Sequence, residues 1–554
     1  MNVFWVLVAV AVFFLAAYRF YGRFLARIFN LSKDTRTPAC EVNDGIDYVP
    51  THKGFLLGQH FSAIAAAGPI VGPVLAAVWF GWAPVLIWVT LGAVFFGAVH
   101  DFSSMVGSVR HRAVSIVEIV HTLFGRRGYL CFLLFVWLSL IYVITAFTDL
   151  TSSSFVDPEL GGGVATASML YLFLGLAMGL CLKYLKMSVG LATLVFLPLV
   201  GLGIWYGREL PLWMPALGSL SPAQVWNVLL LGYCFIASII PVWLLLQPRG
   251  FLGGYFLYAT LAAGLIGLML GGEKIIFPAF LGWTNAKGAS IFPLLFVTVA
   301  CGACSGFHGI VCSGTTSKQI EKEPDCQAVG YGGMLLEGLV AVLALATVMI
   351  LGKKDPLVGM GPDRIYAEGL SRFVQHLGIP RDFARSFTLL AFTTFIYDTL
   401  DVATRLARHL FQELTGWRDK RGIVIATLAS LALPLLCVSL KTTDAAGHVV
   451  PAWKVFWTIF GTSNQLLAAL TLMTLSVWLA KTGRPWWVSA VPMVFMLAVT
   501  FSSLIVMILP LATGLLTGRP VFDPGSITAV FLLILAVMLI LEACRTLAKE
   551  KMAR

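Results

Sequence analysis

An all-α polytopic membrane bundle of about 15 transmembrane helices is the fold class this 554-residue sequence predicts, on three observations. Mean hydropathy is +0.88, with 58% of residues hydrophobic. Only 12% are charged, about half the share of an ordinary soluble domain. Apolar stretches recur from end to end, each near the ~20 residues a helix needs to cross a ~30 Å hydrocarbon core. In lipid only helices and closed barrels satisfy the backbone, and these runs lack the two-residue alternation of barrel strands.

Taken in order, spans are expected to start near residues 3, 55, 82, 128, 164, 188, 222, 250, 290, 328, 383, 421, 452, 486 and 526. The first run, residues 3–20, has neither the basic leader nor the small-residue cleavage site of a secretory signal, so it reads as a retained span. Three regions follow: 1–54 as an N-terminal helix and loop, 55–410 as the core, and 411–554 as a C-terminal region of about four helices.

Loop charge sets the expected orientation, N-terminus outside and C-terminus cytoplasmic. Most of the 38 Lys and Arg then fall inside, among them Arg110, Arg112, Arg126, Arg127, Lys183, Lys186, Arg249, Arg418, Lys420, Arg421, Arg545, Lys549, Lys551 and Arg554. The exception is residues 353–385, whose basic residues include Lys353, Lys354, Arg364, Arg372, Arg381 and Arg385; its amphipathic stretch 365–377 is expected on or dipping into the surface. The net charge of +11 is thus a topology signal. No basic run with interleaved aromatics points to nucleic acid.

Of ten cysteines, only Cys301 and Cys304 form a C-x-x-C, without a second pair or histidines at zinc spacing, so small packing residues are favoured over a metal site. No phosphate-binding loop, nucleophile elbow or cofactor motif is present, which argues against ATP-driven transport by this chain alone and against an intramembrane enzyme.

Two glycine-rich stretches carry histidine: Gly58-Gln59-His60 leading into Gly68-Pro69-Ile70-Val71-Gly72-Pro73, and Cys304-Ser305-Gly306-Phe307-His308-Gly309 leading into Ser313-Gly314-Thr315-Thr316. Each break falls roughly 13–14 residues into its span, near the midplane, on helices of opposite direction. Paired interrupted helices at matching depth are what an inverted-repeat secondary transporter presents, freed amides and carbonyls facing substrate or ion. Close helix packing is the alternative. The shared G-x-H pattern hints at the same symmetry.

Here the sequence resembles a known family. Thr37-Pro38, Asn43-Asp44-Gly45-Ile46-Asp47-Tyr48-Val49-Pro50-Thr51, the run from Gly58 to Ala76, Gly97-Ala98-Val99-His100-Asp101-Phe102, the Cys301 to Thr316 stretch, Thr399-Leu400-Asp401 with Ala403-Thr404-Arg405-Leu406, and Phe460-Gly461-Thr462-Ser463-Asn464-Gln465-Leu466-Leu467-Ala468 are similar to the carbon starvation protein A family, CstA. The resemblance implies a bacterial inner-membrane secondary transporter that imports pyruvate or short peptides with a cation such as H⁺ during carbon limitation. It also implies a core of two inverted five-helix repeats. Three departures stand out: Pro248-Arg249-Gly250-Phe251 replaces a Pro-Arg-Asp-Tyr-type motif, six expected spans separate the two breaks where that core has four, and the chain is shorter than long family members.

Charge inside the bundle gives further candidates, since it is costly in lipid. Asp398, Asp401 and Arg405 stand at i, i+3 and i+7 on one helical face, able to relay a proton or bind a carboxylate; a structural ion cluster is the alternative. His100-Asp101 is a possible relay. Glu337 and Asp149 suit interhelical hydrogen bonds, while Asn464 and Gln465 offer amides at another weakened helix point. The expectation is therefore a proton-coupled importer of a small carboxylate or short peptide. Gly68, Pro69, Gly72, Ser305, Gly306, Ser313, Thr315, Asn464, Gln465 and Arg405 would line the substrate, and His60, His308, His100, Asp101, Asp398 and Asp401 would carry the coupling ion. Expected partners are substrate and bilayer. Pyruvate or peptide, H⁺ or Na⁺, and oligomeric state stay open at this level; a channel and a membrane sensor or accessory subunit are the rival classes.

Overall fold

The computed structural model describes residues 2–44, 48–241, 243–417, 419–440, 450–517 and 524–553, with side chains described to residue 548. The basic residues Arg418 and Arg554, and Gly45, Ile46 and Asp47 of the N-terminal motif, lie outside the described residues. Strands are absent among the described residues; extended pairing is limited to isolated bridges such as Thr51 with Ile320. The elements used below are α1 (Val3–Ile28), α2 (Lys53–Ile64), α3 (Gly68–Phe80), α4 (Trp82–Arg110), α5 (Ile116–Phe155), α6 (Gly161–Tyr184), α7 (Val189–Glu209), α8 (Pro222–Ile239), α9 (Leu246–Gly271), α10 (Ile291–Thr298), α11 (Gly306–Gly314), α12 (Gln327–Met349), α13 (Pro362–Gln375), α14 (Arg381–Thr415), α15 (Lys420–Ser439), α16 (Ala452–Lys481), α17 (Trp487–Leu516) and α18 (Pro524–Ala553).

Among the described residues twelve helices are long and apolar enough to cross a membrane, or 13 counting α2 and α3 as one bent span. The expected count of about 15 is not reached by that measure. The two remaining expectations, near 290 and 383, have identifiable causes: α10 and α11 are single short pieces, and α14, though 35 residues long, is too polar along its length.

Both glycine-rich stretches do interrupt helices: the first just ahead of its Gly68 to Pro73 motif, the second overlapping its Cys304 to Gly309 motif at Cys304 and Ser305. The first break is residues 65–67, bending α2 against α3 by 50°. The second is residues 299–305. Gly68-Pro69 and Gly306 open the helices that follow, because proline and glycine are tolerated in a first turn whose amides have no intrahelical partner. Consequently Gly58-Gln59-His60 precedes its break and Gly306-Phe307-His308 follows its own. The shared G-x-H pattern therefore does not mark equivalent positions.

The two broken helices cross antiparallel: α3 packs on α10, and α2 on α11. Glycine permits the close approach. A Cβ on Gly72 would stand 2.4 Å from the Thr298 carbonyl, and one on Gly68 2.3 Å from Cys301 Sγ. Six membrane-length helices, α4 to α9, separate them in sequence.

The basic segment 353–385 folds onto the bundle. Its helix α13 packs against α12, α14, α9 and α3, burying Ile365, Tyr366, Leu370 and Phe373. Its arginines meet acids: Arg364 pairs with Asp157 at 2.9 Å and with Glu159, and Arg385 bridges Glu159 and Glu368. These pairs place Arg364 and Arg385 against acids within the folded connection.

Candidate functional site

Freed backbone groups at the second break are closed by α16. Asn464 Oδ1 accepts the Phe307 amide at 2.9 Å, capping α11, while its Nδ2 donates to Ser305 Oγ at 3.0 Å. Gln465 Nε2 donates to the Phe296 carbonyl at 2.7 Å, at the end of α10, and Trp457 Nε1 to the Thr298 carbonyl at 3.4 Å. Helix α16 runs unbroken through this region, so it is not the weakened point expected there; its amides serve the neighbour's break. Gly461 completes the fit, since a Cβ there would stand 2.0 Å from the Val297 carbonyl.

A buried acid–imidazole chain lies at the crossing. Asp101 is flanked by His100 Nδ1 at 2.7 Å and His308 Nδ1 at 3.0 Å. The other ring nitrogen of His308 lies 3.2 Å from Glu337. His308 is thus hydrogen-bonded to Asp101 through Nδ1, while its Nε2 and the Glu337 carboxylate lie close together without a hydrogen bond among the described residues. Asp101 and Glu337 are fully buried and His308 is 1% exposed. His308 lies on α11, which packs against α2, so the chain sits beside both broken helices. His60 stands apart from it by hydrogen bonding: its Nδ1 pairs with Thr316 Oγ1 at 2.9 Å, and Nε2 faces Cys312 Sγ at 3.7 Å.

A second charged centre joins α2, α6, α8, α9 and α14. Arg249 Nε and Nη2 donate to Asp398 Oδ1 at 3.0 and 2.8 Å, and Nη1 lies 2.6 Å from Asp401 Oδ2. Tyr233 hydroxyl donates to the same Asp401 oxygen at 2.7 Å and accepts from Arg249. Tyr171 hydroxyl donates to the Arg249 carbonyl at 2.8 Å. Ser62, two residues before the end of α2, reaches Asp398 Oδ2 and the Gly250 carbonyl, both at 3.3 Å. The sequence reading assigned Arg249 to a cytoplasmic loop. It is 1% exposed in the first turn of α9, paired with both aspartates.

The expected cation beside Asp398 and Asp401 was Arg405, yet its Nη2 donates to the Ala237 and Ile240 carbonyls at 2.7 and 2.8 Å, closing the end of α8. Ser313 hydroxyl donates to Gly309 and accepts from the Ile116 amide, and Thr315 is exposed and bonds back to Val311. Gly68, Pro69 and Gly72 line the crossing itself, with Gly302 against Pro69. Asp149 accepts from Asn227 at 3.0 Å and from the Trp453 amide at 2.8 Å at the start of α16. The sequence reading missed Arg249 and Tyr233 as partners of the aspartates, and Tyr171 as the group that holds the Arg249 carbonyl. A run of Pro-Arg at a span's start was the available signal. Among the described residues no group of histidine, cysteine and acids is arranged to hold a metal.

The model of the family described as carbon starvation protein CstA matches residues 2–360 and 351–503. The chain belongs to the CstA family. The Peptide transporter CstA of Helicobacter pylori J99 is 32% identical over 92% of this chain and 82% of its own length. The Pyruvate/proton symporter BtsT of Escherichia coli K12 is 29% identical over 90% of this chain and 80% of its own. Among solved structures, MhsT in complex with L-phenylalanine aligns with a TM-score of 0.47 at 14% identity, covering 88% of this chain and 98% of that one. As a CstA member with at least 12 apolar membrane-length helices, the protein is a multi-pass membrane protein.

Proposed function

We propose that this CstA member is a secondary active transporter that imports a small organic carboxylate or short peptide together with a proton, across the bacterial inner membrane. Its name-bearing relatives are a peptide transporter and a pyruvate/proton symporter, which supports both substrate classes and the coupling ion. The observation that carries the reading is the Asp101–His308–Glu337 chain, fully buried where two broken helices cross. Buried ionisable chains at membrane depth are what proton-coupled carriers use.

In this reading the substrate lies against the crossing of α2–α3 and α10–α11, whose antiparallel packing supports an inverted-repeat core with helices inserted between its halves. Gly68, Pro69, Gly72, Ser305 and Gly306 border it. His308 and Asp101, with His100 beside them, carry the proton, and Asp398 and Asp401 form a second protonatable centre next to α2. Helix N-termini of α3 and α11 present positive potential suited to a carboxylate. The N-terminus lies outside and the C-terminus inside, as the loop charges favour.

Uptake of labelled pyruvate and dialanine into proteoliposomes, with and without an inward proton gradient, tests this. Accumulation that requires the gradient, with exchange of labelled for unlabelled substrate, is expected. Gradient-independent accumulation sinks the proton coupling; conductance without counterflow points to a channel instead.

A further inference from the structure

By direct pairing the second charged centre holds more acid than base: one guanidinium binds two carboxylates, all three nearly or fully buried, while Arg405, the other cation near Asp401, spends its Nη2 on backbone carbonyls. Burying a surplus charge is costly unless something balances it. The surplus falls on one atom. Asp398 Oδ1 takes Arg249 Nε and Nη2, Asp398 Oδ2 takes Ser62, and Asp401 Oδ2 takes Arg249 Nη1 and Tyr233. Asp401 Oδ1 has no hydrogen-bond partner among the described residues. The hydroxyls of Thr394 and Tyr397, which precede it at i−7 and i−4 on the same face of α14, are likewise buried without partners among the described residues. Three unsatisfied polar atoms thus lie about one per turn along the face of α14 that carries Asp401.

We propose that Arg249 reads the substrate's carboxylate, and that a proton taken up by Asp401 Oδ1 releases Nη1 of the guanidinium to do so. This rests on the proton-coupled uptake of carboxylates proposed above and names the residue that selects them. The charge balance is simple. A proton on Asp401 and a carboxylate on Arg249 enter together, so the net charge of the buried site is the same loaded and empty. On the inner side, loss of the carboxylate and transfer of the proton to water restore the Arg249–Asp401 pair. Neither solute alone keeps that balance, which makes coupling a property of the site.

The groups facing Asp401 fit this assignment. Arg249 and Tyr233 bind it directly; Asp398 and Arg405 flank it on its own helix; Cys234, Tyr171 and Tyr397 lie within its field. Arg405 and Arg249 are the cations among these, and Arg405 is tied to the end of α8. Arg249 is thus the one whose donors are held by carboxylates a substrate can replace. Ser62 places the site beside the first break, two residues from the end of α2. A planar guanidinium suits a carboxylate by presenting paired donors, which a lysine ammonium does not reproduce.

The test uses purified full-length protein in proteoliposomes, with pyruvate, its neutral amide analogue and dialanine as probes. In the wild type, pyruvate is expected to compete at least tenfold better than the amide. Arg249→Lys should raise the pyruvate KM at least tenfold and shrink that discrimination. Asp401→Asn, neutral at every pH, should lose gradient-driven accumulation at least tenfold while exchange of labelled for unlabelled pyruvate persists at a reduced rate. Wild-type discrimination with Arg249→Lys behaving as wild type, or Asp401→Asn accumulating normally, overturns the assignment. If neither variant yields monodisperse protein, an amide that competes as well as pyruvate in the wild type overturns it. Failure of the wild type to accumulate any carboxylate under a proton gradient would instead remove the transport reading itself.

Discussion

Asn464 caps a helix to which it does not belong: its side-chain oxygen accepts the Phe307 amide at 2.9 Å across the α11–α16 interface. A cap supplied from a neighbour replaces the local cap that Ser305 does not provide, since its side chain makes no capping bond to α11. Asn464→Ala should cost about 1–2 kcal/mol by orphaning a buried amide, whereas Asn464→Asp keeps an acceptor. Thermal unfolding in detergent reads the difference, and equal stability of Asn464→Ala and wild type would refute the cap.

His308 stands between two buried carboxylates, and removing it strands Glu337, while Asp101 keeps His100 at 2.7 Å. His308→Ala is expected to destabilise by roughly 3–5 kcal/mol, the usual outcome of breaking a buried ion pair from one side. Adding Glu337→Gln should recover at least ~1 kcal/mol, because the stranded charge is gone. A double-mutant cycle by chemical denaturation measures this; strict additivity would mean that the 3.2 Å approach carries no energy.

Glu159 offers a pH test outside the spans. Hydrogen bonding from Arg385 first, then Arg364, holds its carboxyl at about 2, below the usual 4.5. With a depressed folded value, its contribution is complete above 4.5 and is lost as pH falls through 2. The side chain is 53% exposed, so screening keeps the effect small, a Tm difference of roughly 2 °C or less for Glu159→Gln. That difference should stay constant from pH 7 to 5 and close towards pH 2. A gap that opens on acidification would contradict it.

Two glycines give opposite expectations for the same substitution. Gly461→Ala meets the Val297 carbonyl at 2.0 Å and should cost about 1–3 kcal/mol by forcing α16 from α10. Gly232, inside α8, has nothing within 4 Å of its would-be Cβ. Gly232→Ala should stabilise by about 0.5–1 kcal/mol through helix propensity. Parallel unfolding curves decide, and Gly461→Ala at wild-type stability would show that the helices can separate without cost.

Most of the helices were legible because a membrane helix must be apolar along its whole length, and that pattern is local. The misreadings share a cause: they concern what a residue meets across space. Arg249 was read as loop charge because it starts a span, and nothing nearby in sequence says that α14 brings two aspartates to it. Asn464 and Gln465 were noticed as amides, but their partners, Phe307 and Phe296, lie some 160 residues away. The first break was placed on Gly68 to Pro73, whereas the chain interrupts just ahead of it, at residues 65–67, three alanines with no breaker signal; the second, placed on Cys304 to Gly309, starts earlier, at residue 299, and ends at Ser305. Asp398 and Asp401 were found since helical spacing alone puts them on one face.

The closure of the second break by α16 has a mechanical consequence. One rigid helix holds α10 through Gln465 and α11 through Asn464, so these three pieces travel as a single body in any rocking motion, or else break two hydrogen bonds of about 1 kcal/mol each. At the first break, α2 is tied through Ser62 to the charged centre on α9 and α14 and through His60 to Thr316 just after α11. The bend at residues 65–67 therefore lies between α3, packed on α10, and α2, held by the Arg249 centre through Ser62.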